Sequence, residues 1–226
     1  MEVGGGKGLA PARVVACAEA SLQRLRTDYI DLYFAHKDNA DTPLEATLEA
    51  FDKLARAGKV RAIGASNYEA ARLDQALRVS DFNGWTRYSV LQPHYNLLER
   101  AKFEGPLQDL CVANDLAAVP YYALASGFLT GKYQSKADLE GKARGKAAEK
   151  YLNDFGLGVL AALNKVAAEA GATPAQIALA WLASQPGVAA PIASATSVAQ
   201  VEELLGAMRY ILTTDQLTVL NAASKQ

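Results

Sequence analysis

Five short groups of polar or aromatic residues stand at the ends of apolar runs. They are His36; Ser66-Asn67-Tyr68; Gln92-Pro93-His94-Tyr95-Asn96; Tyr121-Tyr122-Ala123-Leu124-Ala125-Ser126-Gly127; and Ser194-Ala195-Thr196-Ser197, which follows Ala193. Their chemistry suits a planar guest that carries a carboxamide. Ser, Asn and Gln supply complementary donors and acceptors, and a Tyr face stacks on a ring. Nothing among them has the spacing of a metal-ligand set. Cys17 and Cys111 lie outside any CxxC or Cys/His array and read as buried thiols in a reducing compartment.

The elements that must position these groups alternate. Pro11 to Leu25 has helical spacing, with Val14, Val15, Ala18, Leu22 and Leu25 recurring and Pro11 in the first turn. Tyr29 to Ala35 reads as a strand. Thr42 is a candidate cap for a helix from Pro43, closed by Gly58, with Leu44, Leu48, Phe51 and Leu54 on one face. Val60 to Ala65 is the next strand, Glu69 to Arg78 a helix, and Ser89 to Gln92 a third strand. A helix over 103–114 and a strand over 117–121 follow. Residues 135–150, rich in Lys, Ala and Gly, read as a solvated, mobile excursion. Helices are expected over 157–170, 173–185, 198–208 and 214–223, the last capped by Thr213 or Thr214, and a fifth strand over Ala189 to Ala193. Strands alternating with helices of ten or more residues imply parallel strands and an α/β fold, with ligands at the strands' C-terminal ends.

Composition excludes other classes. The 226 residues carry 23 Lys+Arg against 24 Asp+Glu, a formal net charge of −1, so no basic excess serves a nucleic acid. Half the residues are hydrophobic and 21% are charged, unlike a disordered chain. No apolar window approaches the roughly 20 residues of a membrane span, and the Gly-rich start is no signal peptide. The expectation is one domain over 1–226, in the cytoplasm, with no nucleic-acid or membrane partner.

Five blocks resemble the aldo-keto reductases in order and spacing: LRTDYIDLYFAH (25–36), GKVRAIGASNY (58–68), LQPHYNLLER (91–100), VPYYALASGFLTGKY (119–133), and TPAQIALAWL (173–182) leading to PIASATSVAQVEEL (191–204). The resemblance implies a (β/α)8 TIM-type barrel, incomplete here. About five of eight strands are expected, with the first three strand-helix units missing. It implies NAD(P)H-dependent reduction of aldehydes or ketones, the cofactor usually being NADP(H). His36 matches the histidine beside the reacting carbonyl. Ser66, Asn67 and Gln92 match the groups that hold the nicotinamide amide, and Tyr121 the aromatic that stacks on the ring. Tyr122, Leu124 and Ser126 fall where the family's loop wraps the pyrophosphate. Ser194, Thr196, Gln200, Glu203 and Leu204 fall where adenosine and 2′-phosphate are gripped.

Two departures stand out. Residues 194–197 contain no Lys or Arg, so the charge-assisted grip on a 2′-phosphate is missing there and NAD(H) stays open. Of the family's Asp, Tyr, Lys and His tetrad, only His36 has a matching position. Hydride transfer needs a proton donor for the developing alkoxide, so impaired activity is expected. Lys37, Tyr68, Tyr95 and Tyr122 are alternative donors that spacing does not separate. The alternative reading is a non-catalytic cofactor-binding or regulatory module, since the fold also serves as an ion-channel accessory subunit. Blander roles remain for some residues: Ser66-Asn67 as a helix cap, Gly127 and Gly131 as turn glycines, His94 as structural. A cut barrel exposes two sheet edges, so three expectations stand: a fragment, pairing through the edges with a second copy (a homodimer) or another polypeptide, or a short form that covers its edges with helix 11–25 and the C-terminal segment. The Gly4-Gly5-Gly6 start favours truncation.

Overall fold

The computed structural model describes residues 8–225. The elements run α1 (Pro11–Leu25), β1 (Ile30–Ala35), α2 (Leu44–Arg56), β2 (Val60–Ser66), α3 (Ala70–Asn83), β3 (Tyr88–Gln92), α4 (Pro106–Ala113), β4 (Ala117–Ala118), α5 (Gly145–Ala148), α6 (Asp154–Ala170), α7 (Pro174–Ala183), α8 (Val198–Gly206) and α9 (Thr214–Ala223), with short 3₁₀ turns between several of them. The chain divides into two compact units, one of residues up to 93 with 109–118, the other of 94–108 with 119 onward.

The first unit is a parallel sheet in the order β1-β2-β3-β4 with helices α1, α2 and α3. Phe51 of α2 packs between Tyr33 and Tyr88, at ring-centroid distances of 5.4 and 6.2 Å. The predicted apolar face of α2 (Leu44, Leu48, Phe51, Leu54) is buried throughout. Gly64 lets β2 approach Phe34: a Cβ there would lie 2.5 Å from the ring. Asp52 is the buried charge of this unit. Its carboxylate accepts from the Thr86 backbone N–H at 2.8 Å, the Thr86 hydroxyl at 3.0 Å and Arg56 Nε at 2.6 Å.

The second unit buries Trp181, Tyr95, Phe103, Phe128 and Leu129 as its largest side chains. Trp181 Nε1 donates to Asn221 Oδ1 of α9 at 2.9 Å, which satisfies the indole inside an apolar helix. Two capping boxes match the sequence: Thr173 with Gln176 on α7, and Thr213 with Gln216 on α9. Thr213 is therefore the α9 cap.

Several expectations need correction. Four strands pair among the described residues, not five. Residues 189–193 form no strand: Pro191 lacks a donor, and Ile192 N–H to the Pro120 carbonyl (2.8 Å) is the ladder-like bond found there. The 117–121 strand is cut to two residues because Pro120 interrupts it, leaving Tyr121 in an isolated bridge with His94. Thr42 caps nothing. The helix begins at Leu44, so Pro43 itself occupies the cap position with extended backbone, and the Thr42 hydroxyl bonds Asn39 Oδ1 at 2.6 Å instead. Residues 135–150 are mostly exposed, as expected, but contain local structure, a Ser135/Asp138 capping box and α5. Gly145 sits so close to the Leu139 carbonyl that a Cβ would come within 2.2 Å. Cys17 is half-buried and Cys111 buried, both as free thiols.

Candidate functional site

The first unit gathers four of the predicted residues at one edge of its sheet. Parallel register does this: Ala35 pairs with Ala65, and Ser66 with Gln92, so β1, β2 and β3 end side by side. The side chains then form a connected set. Asn67 Nδ2 donates to the His36 carbonyl at 2.9 Å and to Ser66 Oγ at 3.1 Å. Ser66 Oγ, fully buried, donates to the Gln92 carbonyl at 2.9 Å. Asn67 holds this position with φ of 57°, a left-handed conformation that Asn tolerates better than most residues. The helix-cap role does not apply: Glu69 is the cap residue of α3, and no side chain bonds there. His36 and Asn67 are exposed beside this network.

Two of the alternative proton donors are poor acids. Tyr68 is buried against Tyr88, with hydroxyls 3.3 Å apart, and burial pushes its phenol up to about 12. Tyr95 is buried in the second unit and donates to Glu104 at 2.7 Å. Burial, then that carboxylate, push its phenol far above the usual range.

The second unit contains a cleft of about 690 Å³, within the range of ligand sites, roughly 300–1,000 Å³. All nine residues that the sequence assigned to this part line it: Tyr121, Tyr122, Leu124, Ser126, Ser194, Thr196, Gln200, Glu203 and Leu204. One wall is the 121–127 turn, in which Tyr122, Ala125 and Ser126 all have positive φ (56°, 47° and 58°). Such residues cost on the order of 1 kcal/mol each and concentrate at ligand clamps. The opposite wall is the start of α8. There Gln200 Oε1 accepts from the Thr196 backbone N–H at 2.8 Å and its hydroxyl at 3.1 Å, while Ser197 caps the helix by accepting from Gln200 N–H.

Sequence reasoning missed the cations. Lys132, Lys142 and Arg144 also line the cleft, against the single carboxylate Glu203. Arg144 Nη2 donates to Ser194 Oγ at 3.1 Å, which places a guanidinium at the stretch that lacks one in sequence. Lys132 lies over Gly127, whose Cβ position would be 3.1 Å from its Nζ. Three cations on one cleft of a chain with net charge −1 suit an anionic guest. Among the described residues no group of His, Cys, Asp and Glu is arranged to hold a metal, and no helix is long and apolar enough to cross a membrane.

The sequence profile of the aldo/keto reductase family matches residues 2–225. The chain belongs to the aldo/keto reductase family. Its relatives include a probable voltage-gated potassium channel subunit beta of Arabidopsis thaliana, 34% identical over 91% of this chain and 64% of that protein. The aldo-keto reductase yakc of Schizosaccharomyces pombe, named for NADP(+), is 34% identical over 89% of this chain and 59% of its own length. An L-glyceraldehyde 3-phosphate reductase of Escherichia coli K12 is 31% identical over 91% and 61%. The chain thus spans about three-fifths of the length of these relatives. For an aldo/keto reductase, the four-stranded parallel sheet is part of a (β/α)8 barrel.

Proposed function

We propose that this chain binds a nicotinamide dinucleotide, NADP(H) in preference to NAD(H), and belongs to an oxidoreductase that reduces aldehydes or ketones. The observation that carries the reading is the second unit's cleft, lined by nine independently assigned residues and three cations. The donor set fits the group. Taken unit by unit, Ser66, Asn67 and Gln92 of the first offer donors and acceptors suited to a carboxamide, and in the second Tyr121 offers a stacking face and the 121–127 turn with Lys132 a site for a pyrophosphate. Lys142 and Arg144 beside Ser194 give a 2′-phosphate the charge-assisted hydrogen bonds that 194–197 alone lacks. When bound in its reduced form, the nicotinamide supplies hydride to a carbonyl carbon.

The chain's own residues then bind and orient. His36 is the catalytic residue in this reading, holding a hydrogen bond at the carbonyl oxygen as negative charge develops there. Tyr68 and Tyr95 are unsuited to deliver the proton at neutral pH for the reasons given above. NADPH oxidation with a panel of aldehydes and ketones tests the activity. His36→Ala should lower any turnover by about 10²–10⁴-fold with little change in NADPH affinity. Unchanged turnover would remove His36 from the chemistry. The similarity to potassium channel subunits beta favours a second reading, a cofactor-binding regulatory module. Saturable binding of NADPH with no carbonyl-dependent oxidation supports that reading over the first.

A further inference from the structure

His94 is the residue of the second unit whose chemistry is least explained by packing. Its Nε2 is buried and has no hydrogen-bond partner, a costly arrangement for a polar atom. Its ring is nevertheless placed with precision. It lies against Tyr121 at a centroid distance of 5.1 Å and an interplanar angle of 18°, and meets Tyr122 edge-on at 5.2 Å. The backbones of His94 and Tyr121 form an isolated parallel bridge. Two residues on, the fully buried Asn96 donates to the Tyr122 carbonyl at 2.9 Å and accepts from Leu98 N–H at 2.8 Å. The 94–98 segment is thus a rigid bed beneath Tyr121 and Tyr122, and Tyr121 also lines the cleft.

We propose that His94 is a positioning residue for Tyr121: its imidazole seats one face of the phenol ring and so sets the ring's attitude toward a bound dinucleotide. The inference rests on the reading that the cleft takes such a ligand. An ordinary structural histidine satisfies both nitrogens; this one leaves a nitrogen unpaired while keeping a near-parallel stack. The charged and titratable groups that face it are Tyr121, Tyr122, Glu99, Lys102 and Lys150. Glu99 favours the imidazolium, but Lys150 and Lys102 and the Tyr151 hydroxyl all engage that carboxylate. Burial, the largest influence, holds the imidazole below its ordinary value, so it is neutral at pH 7. Protonation would place an N–H⁺ with no acceptor inside the bed, a desolvation cost that draws the ring out toward water and unseats Tyr121.

The probe is NADP⁺, titrated against the wild type, His94→Phe and His94→Ala between pH 5 and 8. His94→Phe keeps a flat ring and should retain affinity. His94→Ala removes the seat and should bind about three- to tenfold more weakly, the worth of an aromatic pair. The wild type should weaken further than His94→Phe toward the acid end of that range, as pH falls through a His94 value that burial holds below the ordinary one. The 2′-phosphate itself titrates near pH 6, so the difference between the two proteins is the signal. Wild-type affinity in His94→Ala, or the same acid profile in His94→Phe, would overturn the assignment. A second readout needs no ligand: in NMR spectra of the protein alone, Tyr121 ring resonances should move with the His94 titration. Tyr121 signals that stay fixed while His94 titrates would overturn it as well. If the wild type fails to bind NADP⁺, the dinucleotide reading falls, and the NMR titration still decides the role of His94.

Discussion

Replacing Lys132, Lys142 and Arg144 together by glutamine is expected to weaken NADPH binding about a hundredfold at low salt, taking each exposed charge-assisted phosphate contact as roughly 1 kcal/mol. The three line one cleft with Glu203 as its single carboxylate. Arg144 is held on Ser194 Oγ at 3.1 Å, and in the proposed reading it meets the 2′-phosphate. Arg144→Gln alone should therefore cost NADPH several-fold more affinity than NADH, and should narrow the preference between them. Raising the salt should erode wild-type affinity much more than that of the triple variant, because exposed charges are screened. Calorimetric titration checks all three statements. Equal losses for NADPH and NADH in Arg144→Gln would detach that residue from the 2′-phosphate. Unchanged NADPH binding in the triple variant would remove the cations from the site.

The largest stability effect is expected at Asp52. Asp52→Ala leaves the Thr86 backbone N–H and hydroxyl without their acceptor in a buried place, and should cost about 3 kcal/mol in denaturant unfolding. Arg56 contributes less to that figure, since its side chain is 66% exposed. The pH dependence has a definite sign. Burial pushes the carboxyl up, but the Thr86 and Arg56 hydrogen bonds outweigh it and leave the group below its ordinary value. A depressed carboxyl contributes stability that is present above about pH 4 and is lost as pH falls through the folded-state value. Asp52→Ala should therefore lose less stability than the wild type on going from pH 5 to pH 3. A parallel loss in both proteins would show that Asp52 does not carry this linkage.

Much of this was legible in the sequence because it is periodic or local. The α1 boundaries follow from the spacing of Val14, Ala18 and Leu22 and from Pro11. The buried face of α2 follows from Leu44, Leu48, Phe51 and Leu54. Strand-end polar groups singled out His36, Ser66, Asn67 and Gln92, and parallel register brings them to one edge of the sheet. What escaped was long-range or a matter of competition. A short polar stretch rich in Lys, Ala and Gly resembles an unstructured loop, yet Gly145 permits a close backbone approach to Leu139 that folds 139–145 back on itself. That contact carries Lys142 and Arg144 to the cleft, some fifty residues before Ser194, where no local pattern would place them. The single residues Pro120 and Pro191 ended strands that their apolar neighbours favoured, because a missing N–H outranks hydrophobicity in a ladder. Thr42 looked like a cap, but α2 starts one residue later than expected, at Leu44, and the Thr42 hydroxyl is taken by Asn39.

The most direct test of the central claim is a calorimetric titration of the purified chain with NADPH at pH 7 and low salt. Saturable binding with one molecule per chain, weaker for NADH and weakened by Lys132→Gln as well as by Arg144→Gln, is the predicted result. Absence of binding, or binding that neither substitution touches, would contradict it.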